Sequence, residues 1–513
     1  MKNLLITLST MFVFACAGEV PPNIVHINSL KSPGVGDGEF RGIEEIAKSG
    51  DGNVRVVYFH GMGWTENGAE LADSGSKVVS REYLGDDFLM ALEKAYPGRV
   101  SFDRTQSNCI DRTRSLKLTG PAQTFTLPGL NNLEPISISN FGCLDRVDVE
   151  IEDQFEMVLY RLFWDDAFWD SIENRFTGFD DTYGAPKEYF NRQEYNAKLK
   201  DVVVNFGFID AVTYLSPVGE EMRATVRAAI CLADMDANTN SIFEAGVERA
   251  STDNACENKL DEQSQSVSPT IFIAESMGSK VLFDVLQDAV HDKQEDRIDS
   301  ILKSNSEIYL LANQIALLYP GLAKPVEPKV KIEPLTSLPK LISISEPNDL
   351  LTMEMVPFFR EFWRTQPGIY AETKANILAN PIEACVRNQN RVAPDSDEQV
   401  QAAACDNFPA FKGGGGWLGA WVESWLNGWV FAEISEQFDR KERNKLMQEI
   451  GFEPIDVRAI FAPPLKGLTK DLIDPMIAHS GHNESRLVFT LMLCGAASGQ
   501  IDLAGCDAAE SIQ

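Results

Sequence analysis

The segment Ala274-Glu275-Ser276-Met277-Gly278 carries the chemistry most open to reading in this chain. Before it, Thr270 to Ala274 is short, apolar and rich in β-branched residues, which predicts a buried strand. After it, Val281, Leu282, Val285 and Leu286 fall on one helical face, which predicts a helix over Lys280 to Val290. A serine between a strand and a helix, with small residues two before and two after, fits a nucleophile elbow. The chain doubles back there, and a larger side chain at either end would collide. The usual first glycine is Ala274 in this chain. The same five residues also fit an ordinary turn capped by serine, so the partners that chemistry requires have to be sought elsewhere.

A serine hydroxyl is a weak nucleophile and needs a base, normally histidine, with an acid to orient it. The chain has only 5 histidines. His26 lies near the start of the mature chain, and His291 follows the helix behind Ser276 among charged residues. His60 sits in a turn after a strand. His479 and His482 stand together in Ala478-His-Ser-Gly-His-Asn-Glu484, after the last strand candidate and before a helix expected to start near Glu484. His479 is the expected base and His482 its reserve. In Ser345-Glu346-Pro347-Asn348-Asp349 a strand runs out into acidic residues, so Asp349 is the expected acid, with Glu346 behind it. Asn-Asp before apolar residues is also a helix start, which leaves a capping role open for Asp349. The oxyanion needs backbone donors. The amide of Met277 is one, and the turn His60-Gly61-Met62-Gly63 offers those of Met62 and Gly63. His60 is expected to support this turn at the edge of the substrate pocket, without transferring a proton.

These pieces require strands to hold them. Gly52 to Phe59, Glu307 to Ala312, Lys340 to Ser345 and Val457 to Ala462 read as further strands, and Glu220 to Ala233 as a helix. Phe155 to Trp164 is open between strand and helix, and Val202 to Leu215 is an apolar stretch. Asp234 to Ser266 reads as a polar, irregular surface excursion. The run Asp234-Met-Asp-Ala-Asn-Thr-Asn240 invites a calcium-loop reading, but Thr239 stands where the loop needs glycine and Ala245 where it needs glutamate, so a polar loop is preferred. Short apolar strands alternating with helices predict a mostly parallel α/β sheet of about eight strands with helices on both faces.

The strand leading to His60-Gly-Met-Gly63, then Ala274-Glu-Ser-Met-Gly278, Pro347-Asn-Asp349 and Ala478-His-Ser-Gly481, in that order, resembles the α/β-hydrolase superfamily. Phe208-Ile-Asp-Ala-Val-Thr-Tyr-Leu215 and Ala312-Asn-Gln-Ile-Ala-Leu-Leu318 are similar to phrases of uncharacterised bacterial members. The resemblance covers the core strands. It implies an eight-stranded core and acyl-enzyme chemistry, and leaves the substrate open.

The chain starts with one lysine and an apolar run from Leu4 to Ala15, too short to span a bilayer and suited to a signal peptide. Val13-Phe-Ala-Cys16 fits a lipobox, with Cys16 lipidated, and Ala15-Cys-Ala17 fits plain cleavage before Gly18. Export to the bacterial periplasm, or to the outer membrane as a lipoprotein, is the expectation. With 46 basic and 76 acidic residues the net charge is −30, which disfavours nucleic acid and anionic lipid as partners. Membrane attachment is expected only through Cys16. Setting Cys16 aside leaves Cys109, Cys143, Cys231, Cys256, Cys385, Cys405, Cys494 and Cys506, an even set that suits disulfides, with sequential local pairing the simplest scheme. No cysteine or histidine spacing suggests a metal, and no cofactor is expected.

The expected organisation is a leader at 1–17, a hydrolase core at 18–351 and 456–513, and a helical cap inserted at 352–455. Trp417, Trp421, Trp425 and Trp429 recur at four-residue spacing after four glycines, Gly413 to Gly416. On a helix they form one slanted aromatic stripe. It is either the cap's own core, the preferred reading, or a lid face in which Trp421 and Trp425 line an acyl pocket. Together these readings predict an exported serine hydrolase acting on small-molecule or lipid carboxylic esters. The alternatives are a peptidase, thioesterase or polyester depolymerase of the same fold, and a non-catalytic binding or scaffold protein of the cell envelope.

Overall fold

The computed structural model of the chain describes residues 25–29, 39–61, 86–102, 115–125, 136–164, 209–216, 218–239, 242–243, 249–252, 255–256, 268–291, 297–303, 307–318, 338–347, 349, 351–356, 358–359, 447, 450–459, 482, 485–497, 500–501 and 506. The chain divides into two units, residues 1–355 with 447–513 and residues 356–446. The leader with Cys16, the turn residues Met62 and Gly63, His479, and nearly all of the expected cap with Trp421 and Trp425 lie outside the described residues.

The strands are β1 (Val25–Ser29), β2 (Phe40–Arg41), β3 (Asn53–Phe59), β4 (Val100–Phe102), β5 (Ser115–Phe125), β6 (Ile136–Ile151), β7 (Phe155–Trp164), β8 (Arg249–Ser251), β9 (Thr270–Glu275), β10 (Glu307–Leu311), β11 (Lys340–Ser345), β12 (Glu453–Ala459), β13 (Gly495–Ala497) and β14 (Gln500–Ile501). The helices are α1 (Ile43–Ser49), α2 (Asp86–Ala95), α3 (Ile209–Tyr214), α4 (Val218–Thr239), α5 (Met277–His291), α6 (Arg297–Lys303), α7 (Ile315–Leu318) and α8 (Arg486–Cys494). The main sheet has 11 strands, in the order β1-β12-β11-β10-β9-β3-β7-β6-β5-β8, with β4 paired to β6. Its centre, from β7 through β3, β9, β10 and β11 to β12, is parallel throughout. An antiparallel meander, β5-β6-β7, extends one side, and β1 closes the other antiparallel to β12. The strands β14-β13-β2 form a small second sheet.

The central strands are parallel because both of their faces are covered. Every residue of β9 is buried, the pattern of a strand with apolar layers above and below. On one face Val56 and Tyr58 of β3, Ile271 and Ile273 of β9, Ile342 of β11 and Val457 of β12 meet Ile43 and Ile46 of α1 and Val488 and Leu491 of α8. Each such aliphatic side chain contributes about 1.5–3 kcal/mol when fully withdrawn from water. On the other face α4 and α5 pack against each other.

The meander was the least legible part. Phe155 to Trp164 is strand, and β6 beside it carries Asp145 and Arg146 within an otherwise strand-like run. Asp145 stands directly across from Arg161 in the register. Both are almost wholly buried, with Arg161 Nε and Nη2 donating to the two carboxylate oxygens at 3.0 and 2.7 Å. The sheet therefore exceeds the expected eight strands.

The irregular surface excursion expected over Asp234 to Ser266 is corrected: α4 runs on to Thr239, Phe243 and Ala255 are buried, and β8 pairs with β5 in the main sheet. Asp234 accepts from Arg55 at 2.8 Å and from Arg297 at 2.5 Å. Asp236 accepts from Arg146 at 2.7 Å and from the Tyr160 hydroxyl at 2.9 Å. Both aspartates are thus buried anchors of a helix on a sheet, which excludes the calcium-loop reading. Cys231–Cys256 and Cys494–Cys506 are disulfides, in keeping with local pairing, and Cys143 is disulfide-bonded as well.

Candidate active site

Connections from β3 and β9 diverge: the strand after β3 in the parallel series, β7, lies on one side, and β9 with β10 to β12 on the other. Such a switch of direction opens a crevice at the carboxyl ends of the two strands, which is where α/β sheets bind ligands. His60-Gly61 ends β3 and Ser276 ends β9, so topology and the serine turn point to one place.

Ser276 has φ +47, a left-handed conformation unusual for a residue with a side chain. It costs about 1–2 kcal/mol. The helix expected from Lys280 starts directly after it, at Met277. The turn is clamped by backbone: the Ser276 amide donates to Leu311 O at 2.8 Å, and the Ser279 amide to Ser276 O at 3.1 Å. A β-carbon on Gly278 would lie 2.4 Å from the His60 carbonyl oxygen, and one on Gly61 2.7 Å from Ser276 Cβ. Glycine is therefore required on both sides of the serine. Ala274 in the strand is fully buried and accepted. Met277 heads α5, where helical amides lack intrahelical acceptors, as an oxyanion donor must.

His60 is buried, and its Nδ1 donates to the Gly61 carbonyl at 2.7 Å. That bond fixes the turn after β3, in line with a supporting role. Asp349 follows β11 and is buried. Its Oδ1 accepts from the Leu351 amide at 2.8 Å, and its Oδ2 accepts from the Thr352 hydroxyl. These bonds close a local turn and cap no helix, since residues 351–354 are not helical. Glu346 is buried beside it, and its carbonyl accepts the Asp349 amide at 3.0 Å.

His482 lies just before α8, with Nε2 3.5 Å from Glu275 Oε1. Glu275 also accepts the Tyr58 hydroxyl. Burial pushes the Glu275 carboxyl up, but His482, Tyr58 and the more distant His60 outweigh it and hold the group below the usual glutamate value. The reserve histidine thus serves the carboxylate next to the nucleophile.

Two features of the site escaped the sequence reading. One is this Glu275–His482 pair. The other is Gln314, whose Nε2 donates to Ser276 Oγ at 3.0 Å. Its signal was position: Gln314 follows β10, the next parallel strand, at the same end of the sheet. Among the described residues no group of three or more His, Cys, Asp or Glu is placed to hold a metal ion, and no helix is long and apolar enough to cross a membrane. Comparison with family models, curated proteins and solved structures finds no match to this chain.

Proposed function

We propose that this chain is an exported serine hydrolase of α/β-hydrolase type that cleaves carboxylic esters through an acyl-enzyme. The observation that carries the reading is Ser276, a serine held at φ +47 between a fully buried strand and a helix, with Gly61 and Gly278 too close on either side to accept a β-carbon. Strain of this kind is retained where geometry matters more than stability. In the α/β-hydrolase arrangement the second oxyanion donor comes from a loop after a neighbouring strand, and β3, beside β9, ends at His60-Gly61.

In this mechanism Ser276 Oγ attacks the ester carbonyl and His479 takes its proton. Asp349 orients His479, and the amides of Met277 and Met62, with Gly63, receive the oxyanion. His479 then protonates the leaving alcohol, and water repeats the sequence to release the acid. His482 is assigned to Glu275 rather than to proton transfer, because its Nε2 faces that carboxylate. Trp421 and Trp425 belong to the inserted segment, as its own core or as a lid face lining the acyl pocket. Export rests on the leader and agrees with the disulfides.

The test is labelling of the mature protein by a fluorophosphonate, beside Ser276→Ala, His479→Ala and His482→Ala. The parent and His482→Ala are expected to label, and the other two are not. A folded parent that does not label, with or without detergent, would reject the hydrolase and favour the binding or scaffold protein.

A further inference from the structure

Gln314 is held from its backbone outward. Its amide N–H donates to Ser279 Oγ at 3.1 Å, and that hydroxyl donates to the Ser276 carbonyl. Ala312, at φ +49, turns the chain sharply after β10. Asn313 ties the far side of the turn to Ser343 Oγ at 2.5 Å and Met353 O at 3.1 Å. The side chain is 1% exposed. Its Nε2 is used, at 3.0 Å from Ser276 Oγ, while its Oε1 is buried with no hydrogen-bond partner. An orphaned buried acceptor costs about 1–3 kcal/mol, a cost that a methionine of similar size would avoid. A buried amide with this cost, one hydrogen bond from the serine oxygen, calls for a donor that arrives during the reaction.

We propose that Gln314 is a catalytic residue of acyl transfer at Ser276: Nε2–H meets the charge that develops on Oγ, and Oε1 receives the water that releases the acyl group. This rests on the hydrolase reading above. In acylation Oγ bonds the carbonyl carbon while its proton passes to the histidine, and the C=O electron pair moves onto the carbonyl oxygen. The pair returns as the bond to the leaving alcohol breaks, and the alcohol carries away the proton. Oγ bears partial negative charge while its proton is in flight, and the fixed N–H stabilises it there more than in the resting hydroxyl. In deacylation the water oxygen bonds the acyl carbon and passes one proton to the histidine. The Oγ–carbon bond then breaks, and Oγ recovers that proton. The second O–H of the water donates to Oε1, which orients the attacking lone pair. Glutamine positions water in this way in other hydrolytic sites, since an amide is too weak a base to take the proton itself.

Gln314→Met removes both functions at similar size, and Gln314→Glu removes the donor while keeping an acceptor. Thermal unfolding and near-UV circular dichroism establish that each is folded. Fluorophosphonate labelling reads the donor, and the burst and steady-state phases of p-nitrophenyl acetate hydrolysis read the water. Labelling is expected to fall about 10²-fold in both variants, the scale of losing one donor to a reacting oxygen. Steady-state turnover after the burst is expected to be slower in the methionine variant than in the glutamate variant. A folded variant that labels within twofold of the parent overturns the donor role, and equal deacylation in the two overturns the water role. If only one variant folds, its own labelling rate and its burst-to-turnover ratio against the parent decide both. A parent that does not label overturns the hydrolase reading and this inference together, whereas a labelled parent with unaffected variants overturns this inference alone.

Discussion

Gly278→Ala sets two physical arguments against each other. Gly278 lies in the first turn of α5. Alanine is favoured over glycine inside a helix by about 0.5–1 kcal/mol, so local preference alone predicts a more stable protein. The packing predicts the reverse. The new β-carbon would stand 2.4 Å from the His60 carbonyl oxygen and 3.1 Å from both the His60 carbonyl carbon and the Phe59 oxygen. Ordinary contact requires about 1 Å more, and it has to be found between two backbones. One heads a buried helix, and the other ends a strand bonded on both sides, to β7 and β9. Overpacking costs about 1–3 kcal/mol, and backbone against backbone belongs at the upper end. Subtracting the helix preference leaves a net loss of about 2 kcal/mol, or about 2 °C in Tm for a chain of this length. Parting β3 from α5 by that distance also moves Ser276 away from the oxyanion turn, and a 1 Å misplacement can cost about 10²-fold in rate. Thermal unfolding gives the sign and fluorophosphonate labelling gives the rate. A variant that is as stable as the parent or more so, with unchanged labelling, would refute the account of the elbow.

Three further outcomes are expected. Asp145→Ala should destabilise the protein by about 3–5 kcal/mol in urea titration, because the buried Arg161 loses its bidentate carboxylate; replacing both by apolar residues should recover most of that loss. The Glu275 carboxyl is held below its usual value, so the unfolded chain binds protons first as the medium is acidified. Its stabilising contribution is then complete above the ordinary glutamate pKa, about 4.3, and is lost as pH falls through the lower folded value. The stability gap between the parent and Glu275→Gln should narrow across that window, and parallel curves for the two would contradict the assignment. The Cys231–Cys256 bond spans 25 residues, and removing it through paired Cys→Ala changes should cost about 3.5 kcal/mol by loop-closure entropy. Unchanged unfolding would show that α4 and its following loop hold together without it.

Sequence alone locates strands built around short apolar runs. Lys340 to Ser345 matches to the residue and β3, β9 and β10 differ by one residue at an end, whereas β12, expected at Val457 to Ala462, lies at Glu453–Ala459. The serine turn was legible because small residues and a strand-to-helix change coincide there. Partnerships between charged residues were not legible. Nothing local marks Asp145 and Arg161 as partners until the register sets them opposite each other, and Asp234 and Asp236 read as a loop until Arg55 and Arg146 reach them. Gln314 lacks any local signature, since its role comes from β10 lying next to β9. Contacts between distant segments are set by sheet order, and composition does not encode sheet order.

The pairing of β1 with β12 bears on how the chain comes to be folded. Val25 is matched to Ala459, and Ser29 to Ile455. In the order of synthesis β1 precedes β12 and all the other strands of the main sheet lie between them, so β1 waits for its partner while they are made. Until then the edges of the growing sheet expose unpaired backbone, which other chains can join. Partial products lack the β1–β12 pairing and are expected to be cleared by proteases or held by chaperones. Synthesis of β12 thereby acts as a checkpoint: β1 joins the main sheet only once that strand has been made.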